Sequence, residues 1–331
     1  MKCTVLGAGA WGTTFGQVMA DAGNDVTMWA IEPEIVEGIR DRHHNAVRLP
    51  SVAKLPDNMT ATGDRAQAVK DADIIVVAIA AQFARVALAE FKDLIPDTAV
   101  VVSLMKGIER NTKKRMDEVV REALDLPAER FAAVSGPNLS KEIADRQPAA
   151  TVVACENLDN ARKVASACTT SYFKVFITSD VIGLEMCGSL KNVVALAVGM
   201  ARGAGYGENT AAMIETRGLA ELTALGKAAG ADPKTFAGLA GVGDLTATCG
   251  SPLSRNYTFG ANLGKGLSVE EATKVSNGVA EGVPTTDAVV ALGRKLGVPT
   301  PLATAMSHVL DRGISCSEML AELFGPDITE E

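Results

Sequence analysis

Residues 2–23, KCTVLGAGAWGTTFGQVMADAG, set Gly7, Gly9 and Gly12 between a β-branched run and an amphipathic helical pattern. Few architectures use such a segment. The glycines permit a tight turn after a strand and let a pyrophosphate approach the N-terminus of the next helix. A bare GxGxxG would be weak evidence, and a glycine turn without a ligand is the competing reading. The strand-turn-helix context favours a dinucleotide site. The runs that follow agree with it. Short apolar stretches at 3–6, 26–29, 74–79, 99–104, 131–134 and 151–155 alternate with helical patterns, which predicts a mostly parallel sheet covered on both faces.

After a further run at 172–177 the grammar changes to long helical segments near 181–202, 209–229, 253–263, 281–296 and 301–311. The expected fold is therefore α/β, an N-terminal Rossmann-like domain at 1–180 followed by an all-helical substrate domain at 181–325. The acidic tail, 326–331, is expected to fray.

Three strand ends supply candidate ligand contacts, because open parallel sheets bind beyond the carboxyl ends of their strands. The second strand runs through Trp29 and Ala30 into Ile31 and Glu32, about twenty residues after Gly12, where a carboxylate can accept from adenosine ribose hydroxyls and repel a 2′-phosphate. NAD is mildly favoured over NADP on that ground. The alternative is a solvated carboxylate at a helix start before Pro33. The strand at 99–104 runs into Lys106 and Gly107, an anion or carbonyl contact unless the lysine is simply exposed. The strand at 131–134 runs into SGPNLS, residues 135–140, which is a plain turn or a set of donors for a polar ligand.

Lys191 and Asn192 interrupt the apolar run VIGLEMCGSLKNVVALAVGM at 181–200. Cys187, Gly188, Val194 and Ala195 are the helical neighbours of Lys191, and none is a carboxylate. It is either a lysine reaching out to water or an amine in a partly dry pocket able to trade a proton. Its mid-helix place favours the second. Asp244, in a glycine-rich segment expected to be a loop, could orient it or accept from a substrate hydroxyl. Ser254, Arg255 and Asn256 offer a planar guanidinium fork flanked by neutral donors, suited to phosphate; a helix cap with a solvated arginine is the alternative.

Net charge and cysteine usage narrow the classes. A charge of -8 with 4% aromatic residues excludes a nucleic-acid surface, which demands a basic face. The six cysteines show no CxxC or other metal spacing, and the three histidines make no site, so no metal is expected. Free thiols, no signal-peptide pattern at Met1 and charges at Glu185 and Lys191 in the most apolar helix predict a soluble, cytoplasmic protein. Apolar helical faces in the second half make a homodimer plausible.

Eight segments in order carry a closer likeness: GAGAWGT at 7–13, MKGIE at 105–109, SGPNLSKEI at 135–143, GSLKNVVALAVGMARGAGYGENT at 188–210, TRGLAE at 216–221, AGVGDLTATC at 240–249, SRNYTFG at 254–260 and VAEGV at 279–283. In these the chain resembles the bacterial NAD(P)-dependent glycerol-3-phosphate dehydrogenases over nearly its whole length. The resemblance implies reversible hydride transfer between NAD(P)H and dihydroxyacetone phosphate, giving sn-glycerol 3-phosphate for phospholipid synthesis. It implies Lys191 as the acid-base residue, with Lys106, Gly136, Asn138, Asp244, Ser254, Arg255 and Asn256 on the substrate. Ala10, Trp11, Lys106, Ser140, Arg255, Val279 and Glu281 would contact the cofactor. Ile31 and Glu32 stand where the family often has arginine or histidine, which weakens the case for NADP. Ala211, Glu215 and Asn138 are further departures. Dehydrogenases of hydroxy acids or sugar nucleotides are the enzymatic rival, but would not carry GDLTATC and SRN. A nucleotide-sensing relative without catalysis is opposed by the retention of Lys106, Lys191, Asp244 and Arg255 together.

Overall fold

The computed structural model describes residues 1–276 and 280–325. Eight strands form one sheet in the order β3-β2-β1-β4-β5-β6-β7-β8: β1 (Lys2–Leu6), β2 (Asp25–Trp29), β3 (Met59–Thr62), β4 (Ile74–Val77), β5 (Val100–Ser103), β6 (Phe131–Ser135), β7 (Ala149–Ala154) and β8 (Phe173–Thr178). All neighbours pair in parallel except β6 with β7. The order reverses at β1, between β2 and β4, so ligands are expected beyond its carboxyl end. β4, β5 and β6 are buried at every position, which is why they read as continuous apolar runs. β3 escaped the sequence reading because MTAT is a short edge strand with alternating burial and no apolar run.

Helix Ala10–Asp21 lays Phe15, Val18 and Met19 on the sheet. Each such side chain contributes roughly 1.5–3 kcal/mol by leaving water. Trp11 stacks edge-on against Phe15 at 5.6 Å, and Phe15 against Phe173 at 6.4 Å. Helix Met116–Leu124 carries a buried charge cluster. Arg115 grips Asp117 through Nε and Nη2 at 2.9 and 3.0 Å, and the Asp117 backbone N–H donates to Glu185 Oε2 at 3.2 Å. Burial, with Asp117 nearby, pushes the Glu185 carboxyl up to about 8.

The chain divides into two compact units, Met1–Lys106 with Lys114–Glu185, and Gly107–Lys113 with Met186 onward. The division falls five residues beyond the expected boundary at 180, inside helix Val181–Gly203, and the excursion at 107–113 was not expected. The tail 326–331 lies outside the described residues.

The second unit is helical, as its sequence pattern predicted. Glu208–Ala228, Arg255–Gly264, Gly282–Leu296 and Pro301–Arg312 match the expected segments, with Asp244–Gly250, Val269–Val275 and Cys316–Leu323 in addition. Gly297 and Gly313, both at φ 68°, end two of them in the left-handed conformation that favours glycine. Thr300 offers helix Pro301–Arg312 no side-chain cap. Glu221 supplies one from another helix, accepting from Leu302 and Ala303 N–H at 2.8 and 3.2 Å. Val181–Gly203 is long and apolar enough to cross a membrane, yet it is almost wholly buried in the protein.

Helices Val181–Gly203 and Arg255–Gly264 meet along a seam of four glycines. A Cβ on Gly199 or Gly203 would strike the carbonyls of Tyr257 or Ala261, and one on Gly260 or Gly264 those of Leu196 or Met200. Two backbones are therefore in direct contact, holding the Lys191 helix against the helix that begins with Arg255.

Candidate active site

In the first unit the turn after β1 is shaped by backbone. Gly7 has φ 110°, and a Cβ there would lie 2.6 Å from the Ala78 carbonyl oxygen. A Cβ on Gly12 would strike the Gly7 carbonyl, whereas one on Gly9 would meet nothing within 4 Å. The first and third glycines serve packing, and the second leaves open space at the start of Ala10–Asp21, where Ala10 and Trp11 make the first turn. Buried Asn45 braces this turn, donating to Ala8 O at 3.0 Å and to Thr13 Oγ1 at 2.8 Å. Open space, unspent helical N–H groups and no acidic residue in the first turn fit a dinucleotide pyrophosphate.

Glu32, expected as a ribose acceptor, precedes helix Pro33–Arg42 and is ion-paired to Arg48 at 3.2 Å. Arg48 was not singled out from the sequence. It lies in an irregular segment, 43–58, where no periodicity points to it.

Lys106 follows β5 and donates to Gly136 O at 3.3 Å. A Cβ on Gly136 would press on Thr151 Cα at 3.0 Å, and Asn138 Nδ2 donates to Thr151 Oγ1 at 2.9 Å. Asn138 Oδ1 is buried without a hydrogen-bond partner. An orphan acceptor of this kind is costly unless a ligand satisfies it. Ser140 starts helix Ser140–Ala144, and its carbonyl accepts from Thr14 Oγ1 at 3.3 Å, tying this loop to the glycine-turn helix. The structure thus gathers Lys106, Gly136, Asn138 and Ser140 in the loops after β5 and β6.

In the second unit Lys191 and Asp244, at 6% and 1% exposure, form a buried ion pair. Lys191 Nζ also donates to Thr248 Oγ1 at 2.6 Å, and Thr248 Oγ1 donates to Asp244 Oδ1 at 3.3 Å. Its carboxylate partner comes from 53 residues away. Asp244 is not in a loop, as its glycines suggested. It is the first residue of helix Asp244–Gly250, directly after a π-helical turn at Leu239–Gly243. The turn needs glycine, since a Cβ on Gly241 would strike the Phe236 carbonyl. A carboxylate at a helix start is favoured by the dipole, and one turn later the same helix presents Thr248. Sequence reasoning missed Thr248; its signal was the i, i+4 spacing from Asp244 in GDLTATC.

Ser254 caps helix Arg255–Gly264, its Oγ accepting from Tyr257 N–H at 3.3 Å and keeping its own proton to donate. Asn256 Oδ1 accepts from Gly282 N–H at 2.8 Å, which leaves its Nδ2 as the donor to a ligand. The Arg255 side chain at the first helical position is exposed. Glu281 precedes helix Gly282–Leu296 and has a buried Oε2 without a hydrogen-bond partner. Burial raises its pKa, opposed by the Arg255 charge. Val279 lies outside the described residues.

The comparisons with known proteins meet this geometry. The family described as NAD-dependent glycerol-3-phosphate dehydrogenase matches with its N-terminal part over residues 2–161 and its C-terminal part over 180–321. A Bifidobacterium longum subsp. infantis protein named glycerol-3-phosphate dehydrogenase, with NAD(P)+ as cofactor, is 86% identical over 99% of this chain and 98% of its own length. The chain belongs to the NAD-dependent glycerol-3-phosphate dehydrogenase family. A Corynebacterium kroppenstedtii dehydrogenase of the same name is 50% identical over 99% of this chain and 98% of its own length. The crystal structure of the glycerol-3-phosphate dehydrogenase of Coxiella burnetii superposes with a TM-score of 0.92 at 31% identity, covering 98% of each chain. As a member of this family the protein is an NAD(P)-dependent oxidoreductase that interconverts dihydroxyacetone phosphate and sn-glycerol 3-phosphate.

Proposed function

We propose that Lys191 is the proton donor and acceptor of this glycerol-3-phosphate dehydrogenase, and that Asp244 and Thr248 hold it. The supporting observation is the buried cluster itself, an ammonium in an apolar helix met by a carboxylate and a hydroxyl from one turn of Asp244–Gly250. NADH or NADPH, when bound, supplies the hydride that adds to the central carbon of dihydroxyacetone phosphate. The ketone oxygen then gains negative charge, and protonated Lys191 quenches it by giving up a proton. Asp244 offsets the cost of burying the charged amine before that transfer. In the oxidative direction the neutral amine takes the hydroxyl proton and the carboxylate stabilises the ammonium formed. Lys106 adds positive charge at the carbonyl.

Ser254 Oγ, the Arg255 fork, Asn256 Nδ2 and the first N–H groups of helix Arg255–Gly264 hold the phosphate, so binding away from the reacting carbon orients it. Gly136 and Asn138 complete the substrate contacts. Gly7, Gly9, Gly12, Ala10, Trp11, Glu32, Lys106, Ser140, Arg255, Val279 and Glu281 would hold the cofactor. We place the protein in the cytoplasm, as a homodimer without nucleic-acid or membrane partners, feeding phospholipid synthesis. All six thiols are free and buried, which fits a reducing compartment.

A steady-state assay with NADH and dihydroxyacetone phosphate tests the reading. NADH oxidation should saturate in the phosphorylated ketone and be far weaker with unphosphorylated dihydroxyacetone. Equal rates with both would remove the phosphate from the account.

A further inference from the structure

β7 runs antiparallel to β6 with Val152 opposite Ser135, so the chain leaving β6 passes beside Thr151. The fit is close. A Cβ on Gly136 would lie 3.0 Å from Thr151 Cα and 3.2 Å from its Oγ1. Thr151 is fully buried, and its hydroxyl meets two groups, the Ser135 carbonyl at 3.1 Å and the Asn138 amide at 2.9 Å.

A hydroxyl has one proton to give. The Ser135 carbonyl can only accept, so the proton goes there, and Thr151 presents a lone pair to Asn138. Asn138 must therefore turn Nδ2 toward Thr151, which leaves Oδ1 at the other end of the amide, buried and without a hydrogen-bond partner. A serine or threonine at this position could swing its proton either way. The amide pinned by Thr151 offers a ligand an acceptor through Oδ1.

At neutral pH the phosphate and ketone oxygens of dihydroxyacetone phosphate accept hydrogen bonds, and its one donor is the hydroxyl on the terminal carbon. We propose that Asn138 Oδ1 accepts from that hydroxyl. Asn138 is then a specificity-determining residue for a hydroxymethyl ketone, and Thr151 is the positioning residue that fixes its polarity. This rests on the substrate contact read above for Asn138. It gives the loop after β6 the unphosphorylated end of the substrate, because a phosphate oxygen against Oδ1 would set acceptor against acceptor.

The test compares kcat/KM at saturating NADH for dihydroxyacetone phosphate and for hydroxyacetone phosphate, in which a methyl group replaces the hydroxymethyl. It is run on the wild type, Asn138→Ala, Thr151→Val and Thr151→Ser. Both ketones are measured on one protein, so their ratio is independent of the folded fraction, and their inherent reactivities are common to all four proteins. The wild type should favour the hydroxylated ketone by about tenfold or more, since the analogue leaves a buried acceptor unpaired. Asn138→Ala should lose most of that preference. In Thr151→Val, where nothing holds the amide, it should fall by about threefold or more. Thr151→Ser keeps the hydroxyl and should retain it. A ratio unchanged in Thr151→Val overturns the positioning role. A wild-type preference below about threefold overturns the contact and leaves the dehydrogenase in place. A ratio that Asn138→Ala leaves intact while KM for NADH rises also overturns it, giving the acceptor to the cofactor's carboxamide. Failure of the wild type to reduce either ketone removes the dehydrogenase reading and the contact together.

Discussion

At the end of β1 the chain presents open backbone, while around Lys191 it buries opposite charges against each other. The glycine turn asks little of side chains: Gly9 looks into empty space, and the donors are the N–H groups of a helix start. The Lys191 cluster asks everything of them, since removing one partner strands a charge out of water. Mutations at the first should act on the ligand, and mutations at the second on the fold as well as the chemistry.

The largest expected effect tests the buried side. Asp244→Ala should destabilise by about 3–5 kcal/mol in urea titration, because the ammonium is left uncompensated. The double variant Lys191→Met with Asp244→Leu should recover much of that loss while remaining inactive. If the single variant is as stable as the wild type, the pair contributes nothing to the fold. Next, Lys191→Ala should lower kcat by roughly two orders of magnitude or more in the folded fraction, within the range for acid-base residues; near-normal turnover would defeat the assignment.

The glycines sharpen the contrast within a single turn. Gly12→Ala should cost about 1–3 kcal/mol by overpacking against the Gly7 carbonyl, whereas Gly9→Ala should leave thermal stability nearly intact and weaken dinucleotide binding. Equal destabilisation by both would show that the middle glycine also packs.

The effect that is smallest per unit change of the variable concerns pH. Glu185 is raised in the fold to about 8 from an ordinary 4.5, so the native protein keeps a proton that the unfolded chain releases. Stability should therefore fall as pH rises between those values, by at most about 1.4 kcal/mol per unit, and level off above. Glu185→Gln should flatten that slope in urea midpoints measured from pH 5 to 8.

What the sequence revealed follows the range of the interactions. The glycine turn, the buried strands and the long helices are written in neighbouring residues, and they could be read directly. β3 could not, because four residues at a sheet edge carry too little apolar pattern. Asp244 was noticed, but its glycines suggested a loop where the chain makes a π turn and then a helix start. Thr248 and Arg48 acquire their meaning from partners 57 and 16 residues away, a separation that no local period encodes. Asn256 is similar: expected from the sequence as a donor to phosphate, it also braces a second helix through its acceptor Oδ1.

The four-glycine seam carries a consequence for what the enzyme can accept. Because Gly199, Gly203, Gly260 and Gly264 weld one helix to the next through main chain alone, no rotamer is available to widen the joint. The helix bearing the amine and the helix opening with the guanidinium then behave as the jaws of a fixed calliper, set to one substrate length. Re-gauging it for a longer phosphorylated ketone would mean rebuilding the joint rather than repainting its surface.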